Sequence, residues 1–247
     1  MTLQDGFVFR KNKKKREMRS NEARRLKNAN KRVSIGGWVR MKNGSQYILI
    51  DMYGVIIEES KGYFIPYTYE HFAESEYERI TKAFREEKIF SKAQIGVLSS
   101  NEFLEYLGYD DPFAAMKDYL SNYLTLDVGF ETFAEKVGSE YKLVLLSNDV
   151  SEWSEYLTDI HGINKYFYEK IVSGDVGLKK PDSEIFELTL SRLGCRAEDC
   201  VFIDNSVNNL QVAASLGIKP ILFNRDGVTY DGTVVNNFLE LESVLKG

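Results

Sequence analysis

Cysteine and histidine are scarce, two of each in 247 residues. Cys195 and Cys200 cannot build a disulfide framework or a four-ligand zinc site, and His71 and His161 stand in no helical metal motif. All four read as ordinary structural residues. Long apolar runs are also lacking. None approaches the ~20 residues that a membrane span needs, and the N-terminus is basic and polar where a signal peptide would be apolar. The expectation is a soluble, cytoplasmic chain. Its 43% hydrophobic and 13% aromatic content suffices for a sizeable core.

What is present begins with a lopsided charge. Residues 1–42 hold 14 Lys and Arg against three Asp and Glu, a net +11, which leaves 18 against 34, or −16, in the remainder. The stretch RKNKKKREMRSNEARRLKNANKR (10–32) is a block of one sign with almost no apolar periodicity. It reads as a solvated arm, disordered or loosely docked on the acidic body, and Met41 would serve as an alternative start. A nucleic acid or another anionic surface is expected as a partner only through this arm.

From Gln46 onward, short β-rich runs alternate with amphipathic helical patterns, the signature of a parallel sheet wrapped by helices. Strands are expected at 46–51, 142–148, 170–174, 200–204 and 220–224. Several end in a polar residue. Ligands of open α/β sheets bind beyond the carboxyl ends of the strands, so Asp51, Ser147, Asn148 and Asp204 should gather at one rim. Helices carry readable punctuation: Ser151 before WSEYL, Pro181 and Gly194 around SEIFELTLSRL, a Ser99–Glu102 capping box closed by Gly108, and Asp111 before Pro112. Between about residues 53 and 127 no strong strand pattern occurs. The reading is a core of 43–60 and 128–247 with a helical insert, 61–127, placed as a lid over the rim.

The order of these motifs is informative. Asp51 ends a strand in YILIDMYGV; Ser147 and Asn148 follow in LLSN; Lys180 stands in GLKKPDSEIF; and Asp204 ends VFID before NSVNNLQVAASLGI. The chain from about Gln46 on resembles the haloacid dehalogenase-like hydrolases. The resemblance implies a Rossmann-like doubly wound sheet, an inserted helical cap, and a covalent mechanism with Asp51 as nucleophile. The residue chemistry agrees. An ionised aspartate can attack phosphorus or carbon and split one hard displacement into two easier ones. Lys180 supplies a cation for a carboxylate or phosphate. Ser147 and Asn148 offer a hydroxyl, an amide and backbone donors for substrate oxygens.

Two departures from the family pattern bear on the reaction. Phosphatases of this kind carry a second aspartate two residues after the nucleophile, as acid and base; here that position is Tyr53. A phenol near pKa 10 is a poor base at neutral pH. The related 2-haloacid dehalogenases carry tyrosine there, and a halide leaves without a proton. At the fourth strand, magnesium-dependent members present an acidic pair, and here it is Asp204–Asn205. Asp51, the Tyr53 carbonyl, Asp204 and Asn205 form a Mg²⁺ donor set with one charge fewer than usual. No organic cofactor is expected. The substrate should be small and anionic, with Arg79, Arg85 and Asn209 as candidate binding residues. The leading expectation is dehalogenase-like attack on carbon. The alternatives are a Mg²⁺-dependent phosphatase or phosphotransferase and a catalytically weakened binding protein. Oligomeric state is not legible.

Overall fold

In the computed structural model, residues 46–60 and 62–246 are described; the basic arm, residues 1–42, lies outside them. β1 (Tyr47–Ile50) is apolar at every position because both of its faces are covered. Ile48 and Ile50 point into one apolar cluster, and Tyr47 and Leu49 into a second on the opposite face. The other strands are β2 (Lys142–Ser147), β3 (Phe167–Val172), β4 (Cys200–Asp204), β5 (Lys219–Phe223) and β6 (Thr233–Val235). They form one sheet in the order β3-β2-β1-β4-β5-β6, with every pair parallel. The chain runs outward from β1 to β3 and then crosses back to β4, so the order reverses beside β1. Ile50 is level with Leu145 on one side and Ile203 on the other, which brings the residues after these strands to one rim.

Helices cover both faces. α6 (Phe130–Val137), α7 (Ser151–Ile160) and α11 (Phe238–Lys246) pack on the Ile48 and Ile50 side; α9 (Ser183–Leu193) and α10 (Val207–Ser215) pack on the other. Together with the sheet they give the Rossmann-like, doubly wound arrangement. Between β1 and α6 run α1 (Phe64–His71), α2 (Tyr77–Arg85), α3 (Ile89–Gln94), α4 (Ser100–Leu107) and α5 (Pro112–Asn122). The α4 capping box is formed by both of its bonds, Glu102 N–H to Ser99 Oγ at 3.2 Å and Ser99 N–H to the Glu102 carboxylate at 2.9 Å. Asp111 accepts the Ala114 N–H at 3.0 Å at the start of α5.

Some boundaries differ from the sequence expectation. Ser151 lies inside α7, which Val150 precedes, and residues 173–176 curl into a short helix, α8. β3 begins at Phe167 and not at Lys170, because a register irregularity at Leu143/Val144 and half-exposed Tyr168, Glu169 and Lys170 blur its apolar pattern. β6 has only three residues, too few for a periodicity.

Several contacts fasten the insert to the sheet region, among them Gln94 Nε2 to Asn148 O at 3.3 Å and Lys179 Nζ to Ser91 Oγ at 2.8 Å. Trp153 of α7 is fully buried among rings of the insert, with centroids 4.8 Å from Phe64 and 5.4 Å from Tyr119, and its indole N–H donates to Ser100 Oγ at 2.7 Å. The two linkers also pair with each other. Asp127 N–H donates to Ile56 O and Glu58 N–H to Thr125 O, each at 2.9 Å. Arg225, just past β5, binds the Gly54 carbonyl at 3.2 Å, the Val55 carbonyl at 2.9 Å, and the Asp127 carboxylate.

Candidate active site

Asp51 is delivered by the end of β1 and fixed by its backbone, whose N–H donates to Ile203 O at 3.0 Å. Its Oδ1 accepts the Met52 N–H and the Lys180 ammonium, both at 2.8 Å. Among the described residues Oδ2 accepts no hydrogen bond, and the side chain is 12% exposed. One oxygen is therefore pinned and the other faces outward. Burial pushes the Asp51 carboxyl up to about 7; Lys180 pulls it down and Asp204 adds repulsion.

Lys180 is 2% exposed, and its three donors are all engaged: Asp51 Oδ1, Asp204 Oδ2 at 2.7 Å and the Leu146 carbonyl at 2.8 Å. Burial alone would lower its pKa, yet the two carboxylates outweigh that and raise it. The ammonium thus stays charged. Asn148 holds the lysine in place through a reciprocal pair: its Nδ2 donates to Lys180 O at 2.7 Å and its Oδ1 accepts Lys180 N–H at 2.8 Å. That corrects one expectation. The Asn148 amide oxygen and one of its two N–H groups serve the lysine backbone, which leaves at most one N–H for substrate oxygens.

Ser147 ends β2, is fully buried, and its hydroxyl has no partner among the described residues. An unsatisfied buried polar group costs about 1–3 kcal/mol, and a substrate oxygen at the rim would relieve it. Tyr53 donates its phenol O–H to both oxygens of Asp149, at 3.2 and 3.3 Å. Asp149 is 1% exposed, and its carboxyl is held well above the usual range, first by burial and then by Asp51 and Asp175, against the Val150 N–H and the phenol. The Tyr53 phenol is likewise raised by burial and by Asp149. Sequence reasoning stopped at Asn148 and missed Asp149. The signal was its place as a third polar residue beyond an apolar strand. Ser173 and Gln94 were missed as well: Ser173 Oγ accepts Asp149 N–H at 2.9 Å and donates to Gln94 O of α3 at 2.5 Å.

Asp204 is fully buried, and four contacts engage its oxygens: Ser206 N–H at 2.7 Å, Lys180, and the Asn209 amide at 3.1 and 3.0 Å. These fill a carboxylate's accepting capacity. Asn209 accordingly braces Asp204. Asn205 donates to Ser60 O at 3.4 Å and lies against Gly54. A Cβ on Gly54 would fall 2.2 Å from the Asn205 amide nitrogen, and its φ is +75°, so only glycine suits this position. Arg79 and Arg85 are not brought to the rim. Arg79 caps α4, donating to Leu107 O at 2.8 Å and Tyr106 O at 3.3 Å beside Glu76, and Arg85 is exposed in the last turn of α2, where a cation suits the helix dipole.

For Mg²⁺, Asp204 is thus withdrawn, and no cluster of three or more His, Cys, Asp or Glu suited to a metal occurs among the described residues. Asp51, the Tyr53 carbonyl and the Asn205 amide oxygen remain. They fit a hard cation held weakly, through oxygen donors that carry a single charge.

Comparison with known proteins settles the family. The sequence pattern of the haloacid dehalogenase-like hydrolases matches residues 46–217. The chain belongs to this family. A glyceraldehyde 3-phosphate phosphatase of Methanothermobacter thermautotrophicus is 32% identical over 118 residues, 42% of this chain and 51% of that protein. The chain thus spans about half the length of this curated relative. Among solved structures, a haloacid dehalogenase-family enzyme of Bacteroides thetaiotaomicron in complex with magnesium and inorganic phosphate aligns with a TM-score of 0.63 at 21% identity, covering 76% of this chain and 98% of that one. A 2-haloacid dehalogenase of Pseudomonas syringae aligns at 0.61 and 17%, covering 81% and 98%. Both share the fold, and neither decides the reaction. No helix among the described residues is long and apolar enough to cross a membrane.

Proposed function

We propose that this chain is a hydrolase that acts on a small phosphate ester through a covalent aspartyl intermediate at Asp51. The observation that carries the reading is the asymmetry of the Asp51 carboxylate, with Oδ1 pinned by Lys180 and the Met52 N–H and Oδ2 unengaged. Such an oxygen is oriented for in-line attack.

In the first step Asp51 Oδ2 bonds to phosphorus and the bond to the leaving oxygen breaks. Tyr53 turns its O–H away from Asp149, where it rests in the free enzyme, and donates the phenolic proton to that oxygen. The Ser147 hydroxyl donates to a phosphoryl oxygen, and the Lys180 ammonium, its three N–H groups held behind Asp51, offsets the developing charge through space. Mg²⁺, when bound at Asp51, the Tyr53 carbonyl and Asn205, would neutralise part of the same charge. In the second step water attacks the aspartyl phosphate, its proton returns to the Tyr53 oxygen, and inorganic phosphate and the free carboxylate are released. The phosphatase named among the relatives supports a phosphate substrate. The insert, residues 61–127, acts in this reading as the cap that excludes water.

A second reading is favoured by Tyr53 itself. If the phenol keeps its proton on Asp149, the leaving group must depart unprotonated, as a halide does from a 2-haloacid, and no metal is then required. One experiment separates the two. Purified protein is assayed for phosphate release from an aryl phosphate and for halide release from 2-chloropropionate, with Mg²⁺ or with chelator, using Asp51→Asn as the blank. Phosphate release that vanishes in the variant is the expected result. Halide release alone would replace the phosphatase reading, and equal rates in the variant would remove Asp51 from the mechanism.

A further inference from the structure

Cys195 and Cys200, the two cysteines of the chain, meet at the end of the sheet opposite the rim, with Sγ atoms 3.5 Å apart. Cys195 follows Gly194 at the end of α9, and Cys200 opens β4 level with Tyr47. A single 3₁₀ turn, Ala197–Asp199, separates them. Asp204 lies four residues further along β4, roughly 13 Å away at strand rise. The pair therefore stands apart from Asp51 and Lys180.

The two thiols are unlike. Cys195 is half-buried and Cys200 buried. The hydrogen bond with Cys200 lowers the Cys195 thiol below its ordinary pKa, with Lys142 assisting and burial and Asp199 opposing, while the same bond and burial push up Cys200, whose S–H also lies 3.8 Å from the Arg196 carbonyl. The Lys142 ammonium lies over the rings of Tyr168 and Tyr47, 4.3 and 5.3 Å from their centroids, which keeps a cation at this corner. An accessible sulfur that favours the thiolate beside a buried sulfur that keeps its proton is the division of labour of a reactive and a resolving cysteine.

We propose that Cys195 and Cys200 form a peroxide-reactive dithiol that closes reversibly to a disulfide. The Cys195 thiolate attacks a hydroperoxide oxygen, the O–O bond breaks, and the leaving oxygen takes a proton; sulfur is oxidised to sulfenic acid and the peroxide reduced. Cys200 then attacks the Cys195 sulfur, the S–OH bond breaks, and hydroxide leaves as water with the Cys200 proton. Only about 1.5 Å of approach brings the sulfurs to bonding distance.

The test treats the full, reduced chain with hydrogen peroxide and follows thiol alkylation and intact mass. Both thiols should disappear together, the mass should fall by two hydrogens, dithiothreitol should restore it, and peptide mapping should link Cys195 to Cys200. Cys200→Ser should stop at a sulfenic acid on Cys195 that dimedone captures, and Cys195→Ser should leave Cys200 reduced under the same exposure. Thiols that remain fully alkylatable would overturn the proposal. So would stable oxygen addition at Cys195 with Cys200 still free in the unmutated chain.

Discussion

Lys180 lends one positive charge to two carboxylates that would otherwise face each other across the rim. Lys180→Met keeps much of the volume and removes the charge, leaving Asp51 and Asp204 buried without a cation. The expected loss is about 3–5 kcal/mol in urea unfolding, with turnover abolished, and a second change, Asp204→Asn, should recover part of the stability. A loss below about 1 kcal/mol, the level of an exposed pair, would mean that the ammonium does not hold the carboxylates together. Asp51 carries a pH signature as well. Its carboxyl is raised from 3.8 to about 7, so the folded chain binds this proton more tightly than the unfolded chain does. The associated stability is full below about pH 4, declines as pH rises to about 7, and is level above. Attack needs the carboxylate, so turnover should run the other way, rising to a plateau above about pH 7 in chelator and at lower pH with Mg²⁺ if the cation engages Asp51. Thermal midpoints of wild type and Asp51→Asn between pH 4 and 8 test the stability half: the variant should show a shallower decline, the remainder belonging to Asp149, whose carboxyl is also raised.

Arg225 binds three partners that belong to both ends of the insert, the carbonyls of Gly54 and Val55 and the carboxylate of Asp127. A planar guanidinium spans such a set, and a single ammonium does not. Arg225→Ala should accelerate amide hydrogen exchange at Glu58 and Asp127, whose N–H groups join the linkers, and should lower kcat more than it changes KM, because the loop after Asp51 loosens. Arg225→Lys should rescue little. Unchanged exchange at both amides would remove the clamp. This contact was not legible in the sequence, since Arg225 lies 171 residues from Gly54 and no local pattern marks it. The buried strands β1, β2 and β4 were legible, because strands covered on both faces are apolar throughout. β6 was not, because three residues on an edge carry no pattern.

At the scale of the whole molecule, motif order announced that Asp51, Lys180 and Asp204 would share a rim, while the site's finer division of labour was hidden. Asn148 holds Lys180, Asp204 is saturated, and Asp149 backs Tyr53; each depends on side-chain direction, which spacing does not encode. The insert gives the strongest case. Its helices were readable, but its attachment was not, because it turns on Trp153, which belongs to α7 and whose ring lies among Phe64, Phe90, Phe103 and Tyr119 of the insert. An aromatic cluster completed by a residue from the sheet region cannot unfold by itself without exposing that residue. Insert and sheet should therefore melt as one cooperative unit in the wild type, with far-ultraviolet circular dichroism and hydrogen exchange of the insert amides reporting the same transition. Trp153→Ala should cost about 3–5 kcal/mol, and it should separate the two signals, with insert amides exchanging before those of β1 and β4. If the variant still unfolds in a single coincident step at a small cost, the insert is held by its linkers and not by Trp153, and the Arg225 clamp becomes the principal attachment.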